Sequence, residues 1–217
     1  MRGLMVKDIC LMKGQAKFML LVLAITVFLS YNTDGTFAAS YLVMIASFLG
    51  ISTISYDESD NGYGFLFCLP VSRSQYVAAK YLFNLLLSVA AWIAGIGVTV
   101  IIWLVHPGES GLTELLITNL FFLPVIFLIQ SLMQPTMFQY GSERGRIVLF
   151  VMIGVIVAVC YLVGKLCELT GIDLSSWMES LSQYSVGVIL LVFILLSAVI
   201  LLISVPISVK IIRKKEF

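Results

Sequence analysis

Reactive and ligating side chains are few and scattered in this chain of 217 residues. One histidine, His106, stands before Pro107, and that count excludes a metal site built from several imidazoles. Cys10, Cys68, Cys160 and Cys167 form no CxxC pair and no disulfide-like spacing, which speaks against structural zinc and against a disulfide scaffold. No GxxxxGK[ST] loop is present to cradle phosphates, and no HExxH to hold a catalytic zinc. Gly50-Ile51-Ser52 is too short a match to make Ser52 a hydrolase nucleophile, and the sequence offers it no convincing base. Loss of function on changing Ser52 or His106 would revive an intramembrane hydrolase. The sequence concentrates its chemistry in one segment, Ser55 to Lys80. There an acidic cluster (Asp57, Glu58, Asp60) precedes a glycine-broken stretch through Tyr63, an apolar run from Phe65 through Leu66 to Leu69, then Pro70 and Arg73. This is the chemistry of recognition rather than of bond-breaking. Phe65, Leu66 and Phe67 in a loop need cover, either from the bilayer interface or, as the favoured reading, from a partner protein.

The elements that must position this segment follow from composition. Hydrophobic residues make up 60% of the chain and charged ones 12%, with a mean hydropathy of +1.07, against about 25% charged in a soluble domain. A soluble enzyme is excluded, and the fold class is an all-α integral membrane protein. A net charge of +1 gives no reason to expect nucleic acid as a partner. Apolar stretches at 18–30, 37–54, 81–105, 112–133, 147–163 and 186–209 predict six transmembrane helices, the first beginning near Gln15 to reach a span's length. Twelve Lys and Arg positions fall on the side of the two termini under this count, and only Lys165 falls opposite, so both termini are expected in the cytoplasm and the protein in a cell membrane. The organisation is then a single transmembrane domain: an N-terminal segment 1–17, spans one and two within 18–54, a long inner loop 55–80, spans three and four within 81–133, and an inner loop 134–146. Spans five and six follow within 147–209 around an outer loop 164–185, ahead of a basic tail 210–217. The N-terminus lacks the marks of a removed signal peptide and is expected to remain. Leu4, Met5, Ile9 and Met12 recur at helical spacing, with Lys7, Asp8, Lys13 and Gln15 expected largely opposite them. That pattern suits an amphipathic helix on the inner leaflet, or simply a basic anchor.

Local signals mark the element ends. Ser72 and Gln75 form a capping box, with Val71 and Tyr76 at the staple positions, so span three should start as a helix near Arg73, outside the bilayer. Pro124 should kink span four and free a carbonyl near Leu120. Pro135 and Gly141 read as breakers, Ser142 as a cap, and Arg144 and Arg146 as topology anchors or, less simply, as a second docking contact. Ser176 and Glu179 predict a short outer helix over Trp177 to Gln183. Small residues at Ala90, Ala91, Ala94, Gly95 and Gly97, and at Gly154 with Ala158, allow close helix approach. No span carries an ionisable group near its centre, which disfavours ion-driven transport.

With LPVSRSQYVAAKYL (Leu69 to Leu82) at the mouth of the third span, the chain resembles the permease subunits of ABC-2 type ATP-binding-cassette exporters along essentially its whole length. Among them it is similar to small bacterial permeases of peptide-toxin and antimicrobial-peptide export, including phenol-soluble-modulin exporters. The resemblance implies two permease chains, identical or related, working with two cytoplasmic ATPase chains. ATP and Mg would bind in the ATPase, leaving this chain non-enzymatic and without a cofactor of its own. It also implies that the first inner loop docks the ATPase through Asp57, Glu58, Tyr63, Phe65, Leu66, Leu69, Pro70 and Arg73. The substrate would be an amphipathic peptide or other hydrophobic molecule moved out of the cell. The alternative from another class is a non-transport sensor or self-protection protein that binds a peptide or lipid at its outer loop.

Overall fold

A computed structural model describes residues 2–31, 33, 35–58, 62–68, 70–106, 111–170 and 185–215. Every element in them is helical: α1 (Arg2–Gly14), α2 (Ala16–Tyr31), α3 (Ala38–Glu58), α4 (Gly62–Cys68), α5 (Arg73–Val105), α6 (Leu112–Thr170) and α7 (Val186–Lys214). The expected outer helix with Ser176 and Glu179, the residues Asp60 and Leu69, and the side chains of Phe65 and Ser142 lie outside what is described. Four helical stretches are long and apolar enough to cross a membrane: Ala38–Glu58, Arg73–Val105, Leu112–Gly141 and Val186–Lys214. A fifth is counted if α1 and α2 are taken together, although the two meet at a bend of 66°.

Helix boundaries follow local chemistry where the sequence shows it. α5 opens on the expected box: the Ser72 hydroxyl accepts from the Gln75 amide (3.2 Å), and the Gln75 side chain accepts from the Ser72 amide (3.3 Å). Val71 and Tyr76 both pack into the core beside it. Two boundaries differ from expectation. The inner loop does not begin at Ser55, because α3 continues a further turn and takes Asp57 and Glu58 into the helix. The loop at 134–146 is helical too, and α6 passes through Pro124 and Pro135 and breaks only at Gly141. Pro135 has no amide hydrogen for the Ser131 carbonyl, and the Ser204 hydroxyl of α7 supplies that bond at 2.6 Å. Near Pro124, Trp92 donates to the Asn119 carbonyl at 3.1 Å. Gly141 has φ +79° and ψ 178°, a region that essentially only glycine enters, so the break is written into that residue.

The principal packing is α3 along α5 and α6, and α6 along α7. At one crossing a Cβ on Gly95 would overlap the Ala39 backbone, so this glycine sets how closely α3 and α5 approach. Gly97 and Gly154, expected to serve similarly, have nothing within 4 Å of the position of a Cβ. At the end of the bundle that carries α4, Tyr63, Leu66, Tyr76, Val77, Met137, Phe138 and Ile212 form a contiguous buried core.

Candidate functional site

At that α4 end, three helices bring charged side chains into the protein. Lys80 lies two turns into α5 and is 3% exposed, Asp8 of α1 is 1% exposed and Asp57 of α3 is 7% exposed. The Lys80 ammonium contacts Asp8 Oδ1 at 2.7 Å and Asp57 Oδ2 at 2.8 Å, and donates to the Thr53 hydroxyl (3.1 Å) and carbonyl (3.3 Å). Lys7 closes the group by donating to Asp57 Oδ1, with Asp8 Oδ1 at 3.7 Å. Tyr76 donates its hydroxyl to Asp57 Oδ2 at 2.9 Å, and its ring meets Tyr63 and Phe138 edge to face, at 5.9 and 6.1 Å between centroids. Two carboxylates and two ammonium groups therefore cancel inside a low-polarity wall, the condition under which buried charge is tolerated. Burial pushes the Asp8 carboxyl above the ordinary carboxylate range, and Lys80 and Lys7 only partly offset it. Its second oxygen has no hydrogen-bond partner among the described residues. The Tyr63 hydroxyl is likewise pushed up by burial.

This arrangement corrects the reading of the N-terminal helix. Leu4, Asp8 and Met12 share one buried stripe, whereas Val6 and Ile9 are exposed. Asp8 faces inward with the apolar residues because Lys80 waits there to neutralise it. A second contact, Gln15 Nε2 to the Tyr56 hydroxyl at 2.7 Å, pins the bend between α1 and α2 to α3.

The residues expected to dock an ATPase fall into distinct environments. Asp57 belongs to the ion cluster, and Glu58 lies with its carboxylate against Gly141. Tyr63 and Leu66 are buried in the core, so Leu66 is covered by its own chain and needs no outside partner for that purpose. Pro70 is exposed, as is Cys68 at the end of α4. Arg73 turns toward α7, donating to the carbonyls of Ile212 (3.1 Å) and Arg213 (2.7 Å), a cation on the negative end of a helix. Phe65 is placed in α4 by its backbone. The structure thus gathers Asp57, Glu58, Tyr63 and Leu66 around one hub and sets Arg73 at a different joint.

Sequence reasoning missed the hub's centre. Position along the chain sets Lys80 only among the twelve positive charges on the side of the termini, and Asp8 is expected opposite the apolar residues of the first helix. The available signal was the spacing of Leu4, Asp8 and Met12, one helical turn apart, which marks Asp8 as a member of the inward stripe. His106 lies where the reading put it, at the end of α5, and accepts or donates a 2.6 Å hydrogen bond with Tyr31.

The ion pairs of the hub tie α1, α3 and α5 together, and α4 packs on it through Tyr63 against Tyr76. Residues 3–213 match the model of the ABC-2 family transporter proteins, and the chain belongs to that family. No curated protein and no solved structure matches it significantly. It is therefore a multi-pass membrane protein and a permease component of an ABC transporter, and this family context implies an ATPase in a partner subunit.

Proposed function

We propose that this chain is the membrane subunit of an ATP-driven exporter and that the α4 end faces the cytoplasm, where the segment around α4 docks the ATPase. The observation that carries the reading is the Lys80 hub, because movement imposed on α3 and α4 is passed through Asp57 and Lys80 directly into α5. The docking surface would centre on Phe65, Leu69 and Pro70, with Asp57, Glu58, Tyr63 and Leu66 as its rigid backing and Arg73 relaying to α7. Six spans with both termini in the cytoplasm are supported by the path of the chain. Gly141 lies beside Glu58 and α7 ends beside Arg73, both at the α4 end, so α7 starts at the opposite end, and the helical stretch after Gly141, which continues to Thr170, is long enough to reach that end. Val186 opens a helix of 29 residues, about 43 Å long at 1.5 Å per residue. A pair of permease chains, an amphipathic peptide or other hydrophobic substrate, and outward transport complete the proposal.

The test is a mild-detergent pull-down from native membranes, with mass spectrometry and an ATPase assay on the eluate. A phosphate-loop ATPase recovered in roughly equal amount, and lost on Phe65→Ala with Leu69→Ala while the permease stays folded, is the expected result. The double variant assembling and transporting normally would overturn the docking assignment. Recovery of the chain alone, with no ATP hydrolysis in several detergents, would favour a stand-alone binding or sensor protein.

A further inference from the structure

Above the hub, the interface of α3, α5 and α6 is lined by hydroxyl and amide side chains. Ser47 and Ser88 are hydrogen-bonded at 3.0 Å, and Gln130 donates to the Ser88 hydroxyl and, more weakly, to the Ser47 hydroxyl at 3.3 Å and the Asn84 backbone carbonyl at 3.5 Å. Thr99 and Asn119 face each other further along the same two antiparallel helices, at 3.4 Å. That register, carried one turn toward the hub from Ser88 and Gln130, sets Asn84 opposite Gln134. Both are buried, at 1% and 0% exposure, yet no polar atom of either primary amide has a hydrogen-bond partner among the described residues. The Gln130 carbonyl oxygen lacks one too. Buried amides without partners are unfavourable, and two of them facing each other's level call for an arrangement that satisfies them.

We infer that α6 and α7 together have a second register against α3 and α5, displaced one helical turn toward the α4 end, about 5.4 Å. In it Gln130, already beside the Asn84 backbone, comes level with the Asn84 side chain, two amides that satisfy each other, and Gln134 reaches the level of Thr53, while Ser47 and Ser88 keep their mutual bond. A slide the other way would set Asn84 against Phe138 and take Gln130 past the serines, so only one direction gains partners. The neighbouring helix carries the same duplication. Tyr81 of α5 lies between Ser204 (2.7 Å) and Ser208 (2.8 Å) of α7, one turn apart, and after the slide Ser204 occupies the place of Ser208. The bond from Ser204 to the Ser131 carbonyl obliges α6 and α7 to travel together. Arg73, bound to the last carbonyls of α7, is the catch that must release. This deepens the permease reading by naming which helices move.

The experiment places cysteine pairs in a chain whose four native cysteines are changed to alanine, and oxidises them in membranes without nucleotide. Thr99→Cys with Asn119→Cys reports the observed register, and Thr99→Cys with Leu115→Cys the displaced one. Both pairs should cross-link, the displaced pair more slowly. Asn84→Leu with Gln134→Leu should reduce the displaced cross-link about tenfold or more and spare the observed one, whereas Arg73→Met should increase the displaced one. Retention of the observed cross-link certifies that a variant is folded, and Gln134→Met alone serves if the double variant is not. A displaced cross-link that never forms, or that ignores these substitutions, overturns the second register. Because this readout needs no ATPase, it stands apart from the docking test. If an ATPase is recovered, ATP with vanadate should change the ratio of the two cross-links.

Discussion

Lys80 is the residue on which the α4 end depends. Removing it by Lys80→Met leaves Asp8 and Asp57 buried beside each other with only the half-exposed Lys7, a change expected to cost about 3–5 kcal/mol. Its signature would be a lower melting temperature in detergent and proteolytic release of α1; unchanged melting would mean that the cluster bears no load. Asp8→Asn should behave differently. Asp8 holds its proton more tightly in the folded chain than in the unfolded one, so its contribution to stability is full below the ordinary carboxylate range and is lost as pH rises through the elevated value. The melting temperature of Asp8→Asn relative to the native chain should therefore increase from pH 4 to pH 7. A difference that stays flat or falls would contradict this. Charge type was legible at these positions from the sequence, but partnership was not, because Asp8 and Lys80 lie 72 residues apart and only the packed helices bring them together.

At the scale of elements, the breaks in the helices were half legible. The Ser72 box announced the start of α5 because a cap is made of residues adjacent in sequence. Pro135 misled because the hydroxyl that mends its missing bond comes from α7, far along the chain. Gly141 carries the real discontinuity, and a side chain there would both enter a glycine-only conformation and collide with the Glu58 carboxylate. Gly141→Ala should destabilise the protein by about 1–3 kcal/mol. Circular dichroism melts would read this directly, and a neutral outcome would show that the two arms of α6 tolerate a continuous helix. Glu58 is thereby placed between the α4 segment and the return of the chain through α6, a contact that the acidic cluster alone did not reveal.

For the whole molecule, the membrane class and the family were carried by composition and by the run at the mouth of α5, while the interior was not. Hydropathy counts apolar residues and says little of which serines and amides face inward. Topology can be checked through two natural cysteines, Cys10 and Cys68, both exposed and both at the α4 end. In a chain retaining only these two, a membrane-impermeant maleimide should label both in inverted vesicles and neither in right-side-out ones. Labelling of the two from opposite faces would contradict the placement of α1 and α4 on one side of the membrane. The hub also sets an order of events during synthesis. Lys80 leaves the ribosome 72 residues after Asp8, roughly 4–14 s at ordinary elongation rates, and through that interval the first helix has no Lys80 to dock against. Asp8 therefore gains its buried counter-charge only once the helix that completes its binding site has been made.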